Sequence, residues 1–260
     1  MSKSLRELFD LSGRVALVTG GSRGLGLQIA EGLGEYGANV ILAARKEDEL
    51  RAAVAQLKSA GLSADFIVAD LRSEEAANAL ADTVRERAGR LDILVNNAGA
   101  TWGAPAEDYP TAAWHKVMDV NLTAPFFLSK AAARLFFIPQ GGGVIVNVAS
   151  VEGYMAHPAN RVGTVAYNAS KGAMINMTRA LAAEWGAKKI RVNALAPGYF
   201  PTKMTHGTLE KISEDVIAGT PLGKLGSDFD LKGAALLLAS DAGGQITGQV
   251  IAVEGGASII

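Results

Sequence analysis

The chain contains no cysteine among its 260 residues, and its net charge of −1 is close to zero. The missing cysteine excludes disulfides, thiolate catalysis and cysteine metal ligands. No block of basic residues stands out, so nucleic acid is not an expected partner. The three histidines, His115, His157 and His206, show no metal-ligand spacing, and we expect no metal site.

Long apolar runs are also missing. No stretch approaches the roughly 20 apolar residues that a membrane helix needs. The first residues lack the apolar core and the small-residue cleavage site of a secretion signal. We therefore expect a cytoplasmic protein that has no membrane partner.

Hydrophobic residues make up 49% of the chain and charged residues 20%, which is typical of a globular protein with a sizeable core. Glycine and proline occur as single turn signals rather than as a linker, so residues 1–260 are expected to form a single domain. The one irregular stretch is 197–226, which contains three prolines. A segment of that length in a compact domain is often a substrate lid.

Short apolar runs alternate with helical patterns along the whole chain. The runs are almost continuously apolar, which is typical of parallel strands covered on both faces. The pattern predicts an α/β fold with a doubly wound parallel seven-stranded sheet. The predicted strands are 15–19, 39–44, 64–69, 93–95, 143–149, 191–196 and 249–253, and the predicted helices are 25–36, 47–59, 74–88, 112–137, 167–186 and 231–239.

A glycine-rich turn, Thr19-Gly20-Gly21-Ser22-Arg23-Gly24-Leu25-Gly26, joins the first predicted strand to the first predicted helix. Glycines allow the backbone to turn tightly and to approach a pyrophosphate, and the helix N-terminus offers free N–H groups to the anion. Gly20, Ser22, Arg23, Gly24, Leu25 and Gly26 are the candidate contacts. The alternative is a tight turn without a ligand.

The spacing TGxxxGxG resembles that of the short-chain dehydrogenase/reductase family, and the resemblance extends over essentially the whole chain. It implies a Rossmann-type fold in which the carboxyl ends of the strands bind a dinucleotide. By the same resemblance, Asp70 and Leu71 contact the adenine, and Asn97, Ala98 and Gly99 belong to the family's NNAG motif. Pro197 and Gly198 follow the sixth strand, and Thr202 matches the residue that often holds the nicotinamide carboxamide.

The end of the second strand predicts which phosphate form of the dinucleotide binds. NAD enzymes of this fold usually have an acidic residue there, bonded to the ribose hydroxyls. This chain instead has Ala44 followed by Arg45 and Lys46, and Arg23 lies in the glycine loop. An arginine can grip a 2′-phosphate bidentately, so we expect NADPH/NADP+ rather than NADH. The alternative is that Arg45 and Lys46 only begin a solvated helix.

Tyr167 and Lys171 are four residues apart on a predicted helix, which places both side chains on one face. A nearby ammonium favours the phenolate and can lower the tyrosine pKa by roughly 1–3 units from about 10. Tyr167 is thus a candidate general acid/base. A surface helix can carry the same spacing by coincidence, and the position after the fifth strand favours the catalytic interpretation.

Ser150 and Asn121 complete a catalytic group by resemblance. Ser150 would hydrogen-bond the substrate oxygen, and Asn121 would anchor a proton-relay water. Without the resemblance, the alternatives are that Ser150 caps a turn and that Asn121 is an ordinary helix residue. The spacing of 17 between Ser150 and Tyr167 exceeds the common family spacing, and the extra residues, in 154–165, leave borrowed substrate preferences in doubt.

The resemblance implies an NADPH-dependent oxidoreductase that reduces a ketone or 3-oxoacyl carbonyl, similar to 3-oxoacyl-(acyl carrier protein) reductases. A dehydrogenase of sugar acids, similar to gluconate 5-dehydrogenase, or of another secondary alcohol remains open. A dinucleotide sensor without catalysis is the alternative outside enzymes. The candidate substrate residues, which suggest a mainly apolar pocket, are Trp102, Tyr154, His157, Tyr199 and Phe200.

The helical windows 112–137 and 167–186 carry more apolar residues than one core-facing stripe requires. Family members pair these helices between subunits. The resemblance therefore implies a homotetramer or a homodimer. An unusually buried helix within a monomer is the alternative.

Overall fold

A seven-stranded parallel sheet forms the centre of the protein, whose computed structural model describes residues 3–156 and 163–260. The strand order is β3-β2-β1-β4-β5-β6-β7. The order reverses direction at β1, where β1 pairs with both β2 and β4. The strands are β1 Val15–Thr19, β2 Asn39–Ala44, β3 Ala64–Val68, β4 Ile93–Asn96, β5 Gly143–Val148, β6 Ile190–Pro197 and β7 Val250–Val253.

All seven predicted strands are present, with boundaries that differ by no more than two residues. The predicted doubly wound fold is therefore confirmed. Every residue of β1 is buried, and so is every residue of β4, because helices cover both faces of the sheet.

Within the described residues, ten α-helical segments surround the sheet. They are α1 Leu5–Phe9, α2 Gly24–Glu35, α3 Glu47–Ser59, α4 Glu74–Ala88, α5 Thr111–Met118, α6 Ala124–Ala132, α7 Ile138–Gln140, α8 Val165–Trp185, α9 His206–Ala218 and α10 Lys232–Ala239. Helices α2, α3 and α10 pack on one face. Helices α4, α6 and α8 pack on the other face.

The helix predicted at 112–137 differs from the observed one. Helical backbone runs from α5 to α7, but two π-helical turns, Asp119–Thr123 and Ala133–Phe137, interrupt the α pattern. Each π turn is followed closely by a proline, Pro125 or Pro139. Proline has no N–H and crowds the carbonyl four residues before it, so a wider turn relieves the helix there.

The stretch 197–226, irregular in the sequence analysis, contains a regular helix, α9. Only Leu209 and Val216 of this helix are buried, so its apolar periodicity is weak. Helix α1 was not predicted either. It is five residues long, and a capping box between Ser4 and Glu7 starts it.

Candidate active site

The glycine loop runs from the end of β1 into α2. Gly20 has φ 63° and Gly24 has φ 54°, left-handed values that favour glycine at both positions. Arg23 is the N-cap of α2 and makes no side-chain cap, and the first turn of α2 has no acidic residue. The N–H groups at this helix end are therefore left for an anionic ligand.

Asn97 fixes the shape of this loop. Its Nδ2 donates to the carbonyl oxygens of Thr19, at 2.9 Å, and Gly20, at 3.1 Å. The Ala98 N–H donates to Thr19 Oγ1 at 3.1 Å. A Cβ built on Gly26 would lie 2.4 Å from Asn97 Nδ2, so only glycine fits there. The Asn97 side chain therefore fixes the backbone of the glycine loop, which is part of the predicted cofactor site.

The carboxyl ends of β2 and β3 lie beside the loop. β2 ends at Ala44 without an acidic residue, and Arg45 is exposed and forms no ion pair within the described residues. Asp70 follows β3 and pairs with Arg72 at 2.6 Å, while Leu71 packs against the core. These positions agree with the predicted adenosine end of a dinucleotide site, and their contacts remain predictions.

Asn121 is fully buried in the first π turn. Its Oδ1 accepts from the Ala100 N–H at 2.8 Å, and its Nδ2 donates to the Ala100 carbonyl at 2.9 Å. Nδ2 also donates to Ser170 Oγ at 3.0 Å. Through these hydrogen bonds, Asn121 connects the segment that follows Gly99 to α8. Because Pro125 has no N–H, it cannot donate to the Asn121 carbonyl four residues earlier.

Lys171 and Tyr167 lie on the same face of α8, as their spacing predicts. Lys171 is buried, and its Nζ donates to the Val148 carbonyl at 2.7 Å, at the end of β5. The same Nζ is 5.5 Å from the centre of the Tyr167 ring. A Cβ built on Gly99 would lie 3.9 Å from it. The lysine therefore joins β5, the NNAG segment and α8.

Ser150 lies just beyond β5 and is buried. Its Oγ accepts from the Glu152 N–H at 3.2 Å, which caps the short 3-10 helix Val151–Gly153. A side-chain hydrogen bond also joins Ser150 to Tyr167. Ser150 thus caps a turn and also contacts the candidate acid/base, so the two interpretations of this residue are compatible.

The pKa of Tyr167 differs from the sequence-based expectation. Burial raises the pKa of Tyr167 to about 12, and the hydrogen bond with Ser150 offsets only part of that rise. The negative charge of Glu152 raises it further. Burial also lowers the pKa of Lys171 to about 8. The expected lowering of the Tyr167 pKa is therefore wrong, because desolvation of the buried phenolate has a larger effect than the hydrogen bond with Ser150.

The residues after β6 return towards the glycine loop. The Gly198 N–H donates to the Val253 carbonyl at 3.0 Å, and a Cβ on Gly198 would lie 2.8 Å from the side chain of Glu254. Thr202 Oγ1 is 3.0 Å from Thr205 Oγ1. A Cβ built on Gly24 would lie 3.3 Å from the Thr202 methyl group. The stretch 197–226 thus begins against the glycine loop.

A family model described as short chain dehydrogenase matches residues 14–213, which include the glycine loop, Asn121, Ser150, Tyr167 and Lys171. The chain belongs to the short-chain dehydrogenase family. The predicted resemblance and the prediction of an oxidoreductase are confirmed.

Two curated relatives align with nearly the whole of this short-chain dehydrogenase. Gluconate 5-dehydrogenase of Gluconobacter oxydans is 40% identical over 255 residues, 97% of this chain and 98% of the relative. The rhamnolipids biosynthesis 3-oxoacyl-[acyl-carrier-protein] reductase of Pseudomonas aeruginosa is 40% identical over 257 residues, 97% and 99% of the two chains. A gluconate 5-dehydrogenase from Burkholderia cenocepacia, solved with NADP and tartrate, superimposes with a TM-score of 0.93 at 36% identity, covering 99% of this chain and 100% of that one.

A cavity of about 860 Å³ in this short-chain dehydrogenase is lined by Val151 and Glu152, the two residues that follow Ser150. The stretch 197–226, the C-terminal segment and residues 151–156 all contribute to its wall. Of the predicted substrate residues, Tyr199 and Phe200 line it. Phe200 is also buried in the core, against Gly226, so most of its ring serves packing.

Trp102 and Tyr154 are exposed and do not line this cavity. The Trp102 carbonyl accepts from the Tyr109 hydroxyl at 3.1 Å. Burial raises the pKa of Tyr154 while the charge of Arg179, farther along α8, opposes the rise. The structure therefore does not bring Trp102 and Tyr154 together with Tyr199. His157 lies outside the described residues.

Sequence reasoning missed Glu152, a buried carboxylate that lines the cavity. The Asn168 Nδ2 donates to its Oε2 at 2.8 Å. It also missed Lys203, whose Nζ lies 3.6 Å from Glu49 beside the glycine loop. An acid two residues after a serine and a lysine in an irregular stretch carry no distinctive pattern, so nothing in the sequence marked either residue.

No helix within residues 3–156 and 163–260 is long and apolar enough to cross a membrane. Over the same ranges, no three His, Asp or Glu side chains lie close enough together to hold a metal ion.

Proposed function

We propose that this short-chain dehydrogenase reduces a ketone, of the 3-oxoacyl type, to a secondary alcohol in a reversible reaction that uses NADP(H). One observation supports this above all others. Ser150 and Lys171 both act at Tyr167: a side-chain hydrogen bond with Ser150 lowers the Tyr167 pKa, and the Lys171 Nζ is 5.5 Å from the centre of the Tyr167 ring. A proton donor, an oxygen-binding hydroxyl and a cation therefore meet at the carboxyl end of the sheet.

The residues present fit a dinucleotide that carries a 2′-phosphate. The uncapped N-terminus of α2 suits the pyrophosphate, and Arg23 and Arg45, with no acid ending β2, suit the extra phosphate. The NADP complex of the Burkholderia cenocepacia relative supports the same cofactor. When bound, NADP(H) supplies the hydride donor or acceptor, which the protein side chains lack.

The chain's own residues position the substrate oxygen and move the proton. Ser150 can donate a hydrogen bond to that oxygen, and Tyr167 transfers its phenolic proton to it. Because the pKa of Tyr167 is raised to about 12, the phenol carries its proton at neutral pH. The protonated phenol suits the reductive direction, in which it gives up a proton, whereas oxidation requires the phenolate.

Lys171 and Asn121 support this acid. One N–H of Lys171 is held by Val148, which leaves two donors for ribose hydroxyls. The Asn121 carbonyl lacks its ordinary helical donor at Pro125, which supports a role in holding the predicted relay water. An idle dinucleotide sensor would need neither an oriented phenol nor a buried ammonium beside it.

Two substrate classes remain candidates. The walls of the cavity are mainly apolar, with Val151, Phe200 and Leu225 among them, and this favours 3-oxoacyl ketones. The relatedness to gluconate 5-dehydrogenases favours keto sugar acids or other secondary alcohols.

The consumption of NADPH with a substrate panel tests this proposal. The panel contains an acetoacetyl thioester, a β-ketoester, cyclic and aryl ketones, and keto sugar acids. We expect the highest kcat/KM with the thioester or the β-ketoester. A higher kcat/KM with a keto sugar acid would select the second class, and no turnover of any carbonyl would contradict the proposed activity.

Replacing Arg45 with aspartate is expected to shift the cofactor preference towards NADH. The substitution removes a cation from the end of β2 and places there the acid that favours ribose hydroxyls. The measurement is the ratio of kcat/KM for NADPH and NADH with one carbonyl substrate. Lys58→Asp, an equal charge reversal at the far end of α3, is the control and should leave the ratio unchanged. An unchanged ratio in Arg45→Asp would contradict the assignment.

We further propose that residues 197–226 act as a substrate lid, since they line the cavity and begin against the glycine loop.

A homotetramer or homodimer is supported by Phe126 and Val165, large apolar side chains exposed on α6 and α8. Light scattering during size-exclusion chromatography measures the oligomeric mass. The cytoplasmic location remains a prediction.

A further inference from the structure

Glu49, in the first turn of α3, lies among three cations from three different segments. Its Oε2 is 2.5 Å from the Arg23 guanidinium of the glycine loop. Its Oε1 is 3.4 Å from Lys46 Nζ and 3.6 Å from Lys203 Nζ, at the beginning of the stretch 197–226. One carboxylate therefore pairs with three cations, Arg23, Lys46 and Lys203, which we call the cation cluster.

The cation cluster lies where a cofactor 2′-phosphate is expected. Arg23 is the N-cap of α2, and Lys46 is the N-cap of α3, directly after Arg45. Guanidinium and ammonium groups bind phosphate through the same charge-assisted hydrogen bonds that they give to a carboxylate. A 2′-phosphate at this place would therefore compete with Glu49 for the same donors.

The ion pairs of Glu49 are able to exchange. The side chains of Arg23, Lys46 and Lys203 are 49%, 63% and 66% exposed, and that of Glu49 is 28% exposed. Partial burial acts to raise the pKa of Glu49, but the charges of Arg23, Lys46 and Lys203 hold it below the ordinary value. Glu49 is thus anionic at neutral pH, and exposed ion pairs are weak enough to be replaced by a doubly charged ligand.

We propose that Glu49 is an internal counter-ion of the 2′-phosphate site, which gives up the cation cluster when NADP(H) binds and thereby lowers the affinity for NADP(H) but not for NAD(H). The inference rests on the proposed use of NADP(H). It makes Glu49 a specificity-determining residue, acting against the preference that the surrounding cations create.

Lys203 also links this exchange to the stretch 197–226. It follows Thr202, whose methyl group faces Gly24 of the glycine loop. In the free protein, Lys203 holds the beginning of the stretch to α3 through Glu49. If Lys203 moved from Glu49 to the 2′-phosphate, the beginning of the stretch would remain attached at this place, but through the phosphate instead of through Glu49. Lys203 is then a further cation of the phosphate site, beside Arg23, Arg45 and Lys46.

Isothermal titration calorimetry of NADP+ and NAD+ with Glu49→Gln tests the inference without relying on turnover. We expect the Kd for NADP+ to fall about 5- to 10-fold, because the loss of two or three screened ion pairs frees the cations. The Kd for NAD+ should not change. The NADP+ effect should shrink in high salt, since exposed charges are screened.

Glu47→Gln is the matched control. Glu47 is in the same turn of α3 but pairs with Arg51 instead of the cation cluster, so both Kd values should stay at the wild-type level. Lys203→Gln should weaken NADP+ binding by about 3- to 5-fold and leave NAD+ binding unchanged. The melting temperature of each variant without cofactor verifies that it is folded.

The outcomes separate this inference from the function on which it rests. Wild-type protein that binds NAD+ as tightly as NADP+ would overturn the proposed cofactor. If the wild type prefers NADP+ while Glu49→Gln leaves that Kd unchanged or raises it, Glu49 is either inert or needed to orient Arg23, and the counter-ion proposal is wrong.

Discussion

Replacing Tyr167 with phenylalanine is expected to lower kcat by about 10²–10⁴-fold, the usual contribution of a positioned general acid. The phenol lies close to Lys171 and interacts with Ser150, and it is the proposed donor of the proton to the substrate oxygen. The ring remains, so the packing of α8 is preserved. The Kd for NADP+ should stay within about two-fold of wild type, because Lys171 and the glycine loop remain intact.

Tyr36→Phe provides the control, since this partly exposed tyrosine contacts Phe9 at the end of α2 and takes no part in the site. Its turnover should equal that of the wild type. In the oxidative direction, wild-type turnover should rise with pH, because the phenolate that accepts the alcohol proton becomes more populated as the pH approaches the raised pKa of Tyr167. Near-normal turnover in Tyr167→Phe would refute the assignment of this acid.

Gly26→Ala is expected to disrupt the glycine loop. The new Cβ would lie 2.4 Å from Asn97 Nδ2 and 2.5 Å from the Gly20 carbonyl oxygen, distances that real Cβ atoms do not reach. The loop or Asn97 must move, which should lower the free energy of unfolding by about 1–3 kcal/mol and Tm by about 3–10 °C. Because the same loop is the proposed site of the pyrophosphate, the Kd for NADP+ should rise at least about ten-fold.

Gly233→Ala is the matched control within a helix. A Cβ at Gly233, in α10, would meet no atom within 4 Å, so this variant should melt at or slightly above the wild-type temperature. The two variants together separate the crowding at Gly26 from the general effect of alanine in a helix. Wild-type stability and NADP+ affinity in Gly26→Ala would show that the loop is not held as tightly as its contacts indicate.

The sheet was predictable from the sequence because its strands are buried on both faces. Continuous apolar runs such as Val15–Thr19 leave little freedom in the choice of element. Helix α9 could not be predicted from the sequence, because only Leu209 and Val216 of this helix are buried. The two π turns could not be predicted from the sequence for a different reason. A helical pattern reports which face is apolar, and it does not report how a helix accommodates Pro125 and Pro139.

The proximity of the candidate residues Tyr167 and Lys171 was predictable because their spacing and their position relative to β5 are local properties. The electrostatics were not predictable, since they depend on burial that only tertiary structure sets. Tyr167 and Lys171 are brought together as expected, yet desolvation moves the pKa of Tyr167 upward. The contact between Glu49 and Lys203 joins residues 154 positions apart, and no local pattern announces such a pair.

A crystal structure of the protein with NADP+ is the most direct measurement of the central claim. We expect the nicotinamide beside the Tyr167 hydroxyl, the pyrophosphate at the N-terminus of α2, and the 2′-phosphate in contact with Arg23 and Arg45. A dinucleotide bound elsewhere, or a Tyr167 hydroxyl turned away from the nicotinamide, would contradict the account.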